Sequence, residues 1–184
     1  SRAGYDSTRS AVYFSRVEEE LAGIAGATGV TSSVVPLLGG SNWGTDVEVQ
    51  GFPKGPDVDN NSRFNMVGPG YFTTLGVPML AGRDFTASDS KGSTKVAIVN
   101  TTFANKFKLG TDAVGKFMTD RTGRDSLDVQ IVGLIPDIKY SDVKDTVPPV
   151  FYTPWRQGGD VGGMYFLLKS SLPPEQMLNA IREV

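Results

Sequence analysis

The segment most like a site of chemistry is Gly110-Thr-Asp-Ala-Val-Gly115-Lys116, which has the spacing of a nucleotide-binding loop. In such loops backbone N–H groups cradle phosphates, the lysine reaches their oxygens, and a following Ser or Thr hydroxyl holds magnesium. Phe117 occupies that hydroxyl position, and the pattern before Gly110 is helical where a strand is required. The segment therefore reads as a glycine-bounded turn leading into a strand. Asp57, Asp59 and Asn61 set oxygen ligands at alternate positions, as the start of a calcium loop does. Ser62 stands where the sharp turn needs glycine and Gly68 where the bidentate glutamate belongs, so a solvated turn is the better reading. The pairs Asp84/Asp89 and Asp137/Asp142 have the groups for acid–base hydrolysis, which needs two carboxyls about 5–10 Å apart. Beside Gly, Pro and Ser, the same residues serve as turn formers and helix caps. No Gly-x-Ser-x-Gly elbow or Ser-x-x-Lys pair stands in a setting that would activate a nucleophile.

The missing residue types narrow the chemistry further. The 184 residues include no cysteine and no histidine. That excludes a Cys-rich zinc site, a thiol nucleophile, a Ser-His-Asp triad and ordinary haem ligation. It also excludes disulfides, so cysteine usage says nothing of the redox compartment. The balance of 18 Lys+Arg against 20 Asp+Glu lacks the basic excess of a dedicated nucleic-acid binder. No apolar run approaches the ~18 residues of a membrane helix, and no signal-peptide pattern opens the chain. It starts at Ser1 and stops at Val184 within a helical pattern, so it is expected to be a piece of a longer protein.

The elements that must position these residues are legible from periodicity and punctuation. Ser7 or Thr8 caps a helix to about Ile24, with Phe14, Val17, Leu21 and Ile24 on its apolar face and Glu18, Glu19 and Glu20 on its solvated side. Val30–Val35 reads as a strand, Pro36–Gly44 as a loop, and Thr45–Phe52 as a half-buried strand with Val47 and Val49 facing inward. Further strands are expected at Arg63–Val67, Lys95–Val99, Leu127–Leu134, Val150–Tyr152 and Met164–Lys169. Helices are expected over Gly70–Leu75, over Thr101–Phe107, and after Pro173 and Pro174 with Met177, Leu178 and Ile181 inward. Trp43 and Trp155 sit beside Gly or Pro, where an aromatic ring either packs over a sheet edge or anchors a partner.

Several motifs in one order resemble the extracytoplasmic domain of MacB-type ABC transporter permeases. They are Gly70-Tyr-Phe-Thr-Thr-Leu-Gly-Val-Pro, Ala81-Gly-Arg-Asp-Phe85 followed by Asp89, and Val96-Ala-Ile-Val-Asn100 with Phe103-Ala104. Val114-Gly115, Ile131-Val-Gly133, Asp137-Ile-Lys139 and Pro149-Val-Phe-Tyr-Thr-Pro154 continue the pattern. The resemblance is close from about Val30 to Trp155 and nearest to the large orphan permeases of soil bacteria.

The resemblance implies an α+β fold of two α/β lobes: a porter-like lobe from residues 1–62 and 149–184, and a mixed lobe, 63–148, inserted between them. It implies a domain lying on the periplasmic side of the bacterial inner membrane, between two membrane helices of a permease, with no catalytic, cofactor-binding or metal-binding residue. The implied task is to couple cytoplasmic ATP hydrolysis to movement outside, in efflux or mechanotransmission. The implied partners are a separate ABC ATPase subunit or domain, a second permease protomer and a periplasmic adaptor protein, with no nucleic acid. Gly70, Gly76 and Gly82 are expected to serve turns or helix ends, Tyr71, Phe72, Phe85 and Phe103 to fill the core, and Arg83 to pair with Asp84. The candidate partner contact is Leu37, Leu38 and Trp43, apolar residues sharing one loop. Two readings of other classes stay open. One is a stand-alone periplasmic module binding a sugar, lipid or peptide through Trp43 and Trp155. The other is a hydrolase with paired carboxylates that include Asp137.

Overall fold

The computed structural model describes residues 7–36, 43–120, 126–138, 146–158 and 161–183. In chain order its elements are α1 (Ser7–Ala22), β1 (Ala27–Ser33), β2 (Trp43–Asp46), β3 (Asn61–Val67), α2 (Tyr71–Leu75), β4 (Ala81–Gly82) and β5 (Lys95–Asn100). Then come α3 (Thr101–Lys106), β6 (Phe117–Met118), β7 (Val129–Ile135), β8 (Val150–Pro154), a 3-10 turn at Trp155–Gln157, β9 (Tyr165–Ser170) and α4 (Pro174–Arg182). The strands form one mixed sheet in the order β4-β7-β5-β8-β3-β1-β9, with β2 added to β3 and β6 to β7. The fold is thus mixed α and β, as expected.

Both faces of the sheet are covered, so its central strands read as continuous apolar runs. On one face α3 brings Phe103 and Phe107 against Ala97, Val99, Ile131 and Phe151. Farther along the same face, α1 and α4 pack Leu21, Ile24 and Met177 over Val30, Phe166 and Leu168. On the opposite face α2 seats Tyr71 and Phe72 among Ile98, Ile135 and Tyr152. Tyr71, Phe72, Phe85 and Phe103 are all buried, as their motifs implied. α2 is five residues long and bracketed by Gly70 (φ 61°) and Gly76 (φ 72°), both in the left-handed region that glycine enters freely. Asn100 is the hinge pin of the other motif. Its buried carboxamide oxygen accepts from Phe103 N and Val150 N, both at 2.9 Å, and its nitrogen donates to Pro148 O at 2.9 Å. One side chain thereby fixes the end of β5, the start of α3 and the start of β8.

The sheet is narrow at two places. β5 meets β8 at Ile98 opposite Tyr152 and Val99 opposite Phe151, and β1 meets β3 at Ser33 opposite Val67. The expected lobe boundary at 62/63 falls inside β3, which lies between β8 and β1. Where β8 leaves β5 at Pro154, a residue with no N–H to give, Gln157 takes over the pairing. Its side-chain oxygen accepts from Val96 N at 3.0 Å and its nitrogen donates to Thr94 O at 2.7 Å.

Four local expectations are corrected. The strand expected over Thr45–Phe52 changes partner midway: Thr45 and Asp46 pair with β3, whereas Val49 bridges Met118 of β6. Val47 and Val49 are buried as the alternation requires. Leu178 is 55% exposed, because α4 turns Met177, Ala180 and Ile181 to the sheet instead. Arg83 Nη1 does donate to Asp84, at 3.1 Å, but to its backbone oxygen and not its carboxylate. Its guanidinium forks onto Asp89 at 2.7 and 2.8 Å, while Asp84 accepts from Thr73 N and Phe85 N. The fourth correction is Glu18, which is buried and belongs to the site below.

The Arg83–Asp89 pair makes a testable statement about pH. Burial raises the Asp89 carboxyl, but the Arg83 fork and the N–H and hydroxyl of Thr86 outweigh it and hold it below the usual carboxylate range. A group depressed in the folded state contributes stability that is fully present above its unfolded value, about 3.9, and is lost as pH falls through the lower folded value. Thermal melts from pH 7 down to pH 2 should therefore fall more steeply for the natural domain than for Asp89→Asn. Parallel curves would remove Asp89 from the acid limb.

Candidate functional site

The residues with chemical potential resolve into structural duties. Asp137 accepts from Thr102 N at 2.9 Å and Thr102 Oγ1 at 2.8 Å, tying the start of α3 to the end of β7; Asp142 lies outside the described residues. Asp59 accepts from Lys106 Nζ at 2.7 Å and Asn61 N at 3.2 Å, and the lysine first, then the N–H, hold its carboxyl below its ordinary value. The turn that resembled a calcium loop is thus already occupied by a cation, the lysine. Gly110 and Gly115 both take positive φ, and the Gly115 and Lys116 backbone is spent on Ile131 of β7. Among the described residues no group of three or more carboxylates comes together as a metal site.

Two places remain where the molecule could meet or move something. The first is a cleft of about 590 Å³ on the sheet face that carries α3 and α1. Trp43 forms one wall, Phe64, Met66 and Phe151 the floor, and Lys95 and Gln157 part of the rim. Trp43 starts β2, opposite Phe64, with ring centroids 5.5 Å apart and 39% of its surface exposed. Phe64 in turn stacks on Phe151 at 5.7 Å. A row of rings therefore leads from an exposed indole into the core. The backing is rigid, as a contact residue needs if binding is not to be offset by lost side-chain freedom. Leu37 and Leu38, the other two residues of the candidate contact, lie outside the described residues. Trp155 does not share this exposure. It is 3% exposed, packed edge-on against Phe14, with Arg156 5.3 Å above its ring.

The second place is the joint between α1 and the sheet. Glu18 is 8% exposed; its carboxylate takes the Ser32 hydroxyl, Arg156 Nη2 at 2.6 Å and Trp155 Nε1 at 3.4 Å. Those donors come from β1 and from the 3-10 turn that follows β8. A third segment closes over them: a Cβ on Gly68 would sit 2.6 Å from Ser32 Oγ and 2.9 Å from Glu18 Oε1, so only glycine fits. A buried charge is tolerable when it is paired and hydrogen-bonded. Here the pairing fastens α1 to two separate segments, β1 and the 3-10 turn after β8, by directional bonds as well as apolar packing. The signal was present in the sequence. Phe14, Glu18 and Leu21 have the spacing i, i+4, i+7, which puts a carboxylate inside the apolar stripe of α1.

The model of the MacB-like periplasmic core domain matches residues 2–184 of this chain. The chain belongs to that family. Solved structures agree on the fold. The chain is similar to the periplasmic region of MacB from Actinobacillus actinomycetemcomitans, with a TM-score of 0.63 and 15% identity over 91% of this chain and 70% of that one. It is also similar to the extracellular domain of the noncanonic ABC-type transporter YknZ from Gram-positive bacteria, at a TM-score of 0.56 and 16% identity over 90% of this chain and 76% of that one. A domain of a putative permease from Porphyromonas gingivalis gives a TM-score of 0.54 and 17% identity, covering 88% and 70%. No curated protein sequence matches the chain. As a MacB-like periplasmic core domain, the chain is an extracytoplasmic domain of an ABC transporter permease, and no helix among its described residues is long and apolar enough to cross a membrane.

Proposed function

We propose that this domain does no chemistry and works by moving: it couples ATP hydrolysis on the cytoplasmic side to a change of shape or contact in the periplasm, in efflux or in mechanotransmission. The observation that carries this reading is the family match over nearly the whole chain. The ATPase is a separate subunit or domain, and the working unit contains a second permease protomer. A periplasmic adaptor contacts the domain at the Leu37–Trp43 loop. The Glu18 joint supports the mechanical part, because α1 cannot shift without dragging β1 and the β8 end with it. The two lobes, 1–62 with 149–184 and 63–148, belong to the same proposal; the narrow β5–β8 seam supports a division of the sheet and leaves β3 on the β8 side of it.

The experiment is a transport and ATPase assay on the full transporter carrying Trp43→Ala, with its partners present. Loss of a half-exposed aromatic anchor is expected to lower partner-dependent activity about tenfold or more, while basal ATP hydrolysis stays unchanged. Unaltered transport and coupling would remove Trp43 from the contact.

The cleft beside Trp43 favours a second reading, a stand-alone module binding a sugar, lipid or peptide, with Trp43 as its remaining anchor since Trp155 is buried. Flanking sequence separates the two: apolar segments of about 20 residues on both sides belong to the permease, and a soluble domain or a stop there belongs to the module.

A further inference from the structure

The three residues that follow Pro154 hold two distant parts of the chain at once. A 3-10 turn has three residues per turn, so neighbouring side chains leave it about 120° apart. Trp155 and Arg156 go to α1: the indole N–H and the guanidinium both donate to the Glu18 carboxylate, and the indole ring meets Phe14 edge-on. Gln157 goes elsewhere. Its carboxamide oxygen accepts from Val96 N near the start of β5, and its nitrogen donates to Thr94 O and Ser93 Oγ, each at 2.7 Å. Between the two sets of bonds Gly158 N donates back to Trp155 O at 3.1 Å and closes the turn.

Apolar packing does not make this connection. α1 lies in the cluster of Leu21, Ile24 and Met177, whereas Val96, Ala97 and Ile98 of β5 belong to the two clusters that α2 and α3 join. Polar bonds carry the line onward. Ser93 Oγ, which accepts from Gln157, donates to Ser90 O at 2.8 Å. Ser90 follows Asp89, whose carboxylate takes the Arg83 fork and Thr86 N. A line of hydrogen bonds and short covalent steps therefore runs from α1, through the turn, to the loop of residues 83–94, where Lys91 is exposed. Hydrogen bonds weaken steeply with misalignment, so a shift at one end of the line is felt at the next bond and not absorbed by sliding.

We propose that the Trp155–Gln157 turn is a strut that ties the position of α1 to the loop of residues 83–94, so that a displaced α1 carries the loop with it. This deepens the mechanical reading and rests on it for its use, whereas the tie itself is a property of the folded chain.

Hydrogen exchange at single amides of the full-length transporter, without nucleotide, reads the tie. Val96 N–H, held by the Gln157 carboxamide, is the reporter, and Phe103 N–H, held by the Asn100 carboxamide, is the comparison. Glu18 bonds to neither amide. Even so, Glu18→Gln is expected to speed exchange at Val96 about threefold or more relative to Phe103, as coupling within one network requires. Gln157→Glu keeps an acceptor for Val96 and loses the donor to Thr94. Combined with Glu18→Gln, it is expected to speed exchange at Val96 by less than the product of the two single effects, because the line is already cut. Gln157→Glu is also expected to broaden the spin-label distance between Glu19 and Lys91. Equal acceleration at Val96 and Phe103, single effects that multiply, or an unaltered Glu19–Lys91 distance would each overturn the proposal. A transporter in which ATP moves nothing would refute the mechanical reading and leave these results as they are.

Discussion

Replacing Glu18 with alanine lowers the stability of the domain by about 3 kcal/mol, the cost of breaking a buried pair and leaving its cation uncompensated. For a domain of this size that is a drop in melting temperature of about 6–12 °C. The cause is specific. Arg156 would keep its place over the Trp155 ring with its charge unanswered, and the Ser32 hydroxyl and the Trp155 N–H would lose their acceptor. Glu18→Gln keeps the shape and one acceptor oxygen, so about half of the loss is expected. Glu19→Ala, one residue along on the exposed side, is the control and should change nothing measurable. Equal melting of Glu18→Ala and Glu19→Ala would return Glu18 to the solvated face where its sequence neighbours sit. If the domain works by moving, as proposed, the same substitution in the full transporter should slow transport more than ATP hydrolysis.

The second large effect is expected at Gly82. β4 approaches β7 with Gly82 opposite Gly133, and Gly82 has φ 75°. A Cβ there would collide with the carbonyl oxygen of Val132, which is backbone and cannot yield. Gly82→Ala should therefore cost about 4 kcal/mol or more, the range reached by backbone strain added to a steric clash. Gly76 is the matched comparison: φ 72°, but open space where a Cβ would go. Gly76→Ala should cost about 1–2 kcal/mol, the left-handed penalty alone. Denaturant melts of the two variants measure the difference. Similar midpoints would mean that β4 is free to move away from β7.

Much of this was legible because local chemistry and tertiary packing agreed. Gly70 and Gly76 bracket a five-residue helix that periodicity alone could not have announced, and the Val96–Asn100 run is apolar because both faces of β5 are covered. The failures have physical reasons as well. Glu18 stood in a run of three glutamates, where composition suggests solvent, and its burial depends on Arg156, 138 residues away. Arg83 chose Asp89 over Asp84 because a two-pronged guanidinium needs both carboxylate oxygens, whereas Asp84 is held by Thr73 and Phe85 N–H groups. The switch of partner after Val47 is set by β6 and the Thr119 that follows it, which no short-range pattern links to this strand. Of the candidate contact, Trp43 is half exposed on a firm aromatic backing, a property that rests on Phe64 and Phe151 and so is invisible in the loop's own sequence.

If the domain works by moving when the ATPase turns over, as proposed, spin-label distances in the full transporter will register it. One label pair joins Glu19 of α1 to Lys91 within a protomer; the other joins Glu19 to Glu19 across the two protomers, with and without ATP when hydrolysis is blocked. ATP is expected to shift the distance between protomers by several ångströms while the distance within each protomer stays fixed. An unchanged distance between protomers would contradict the proposal.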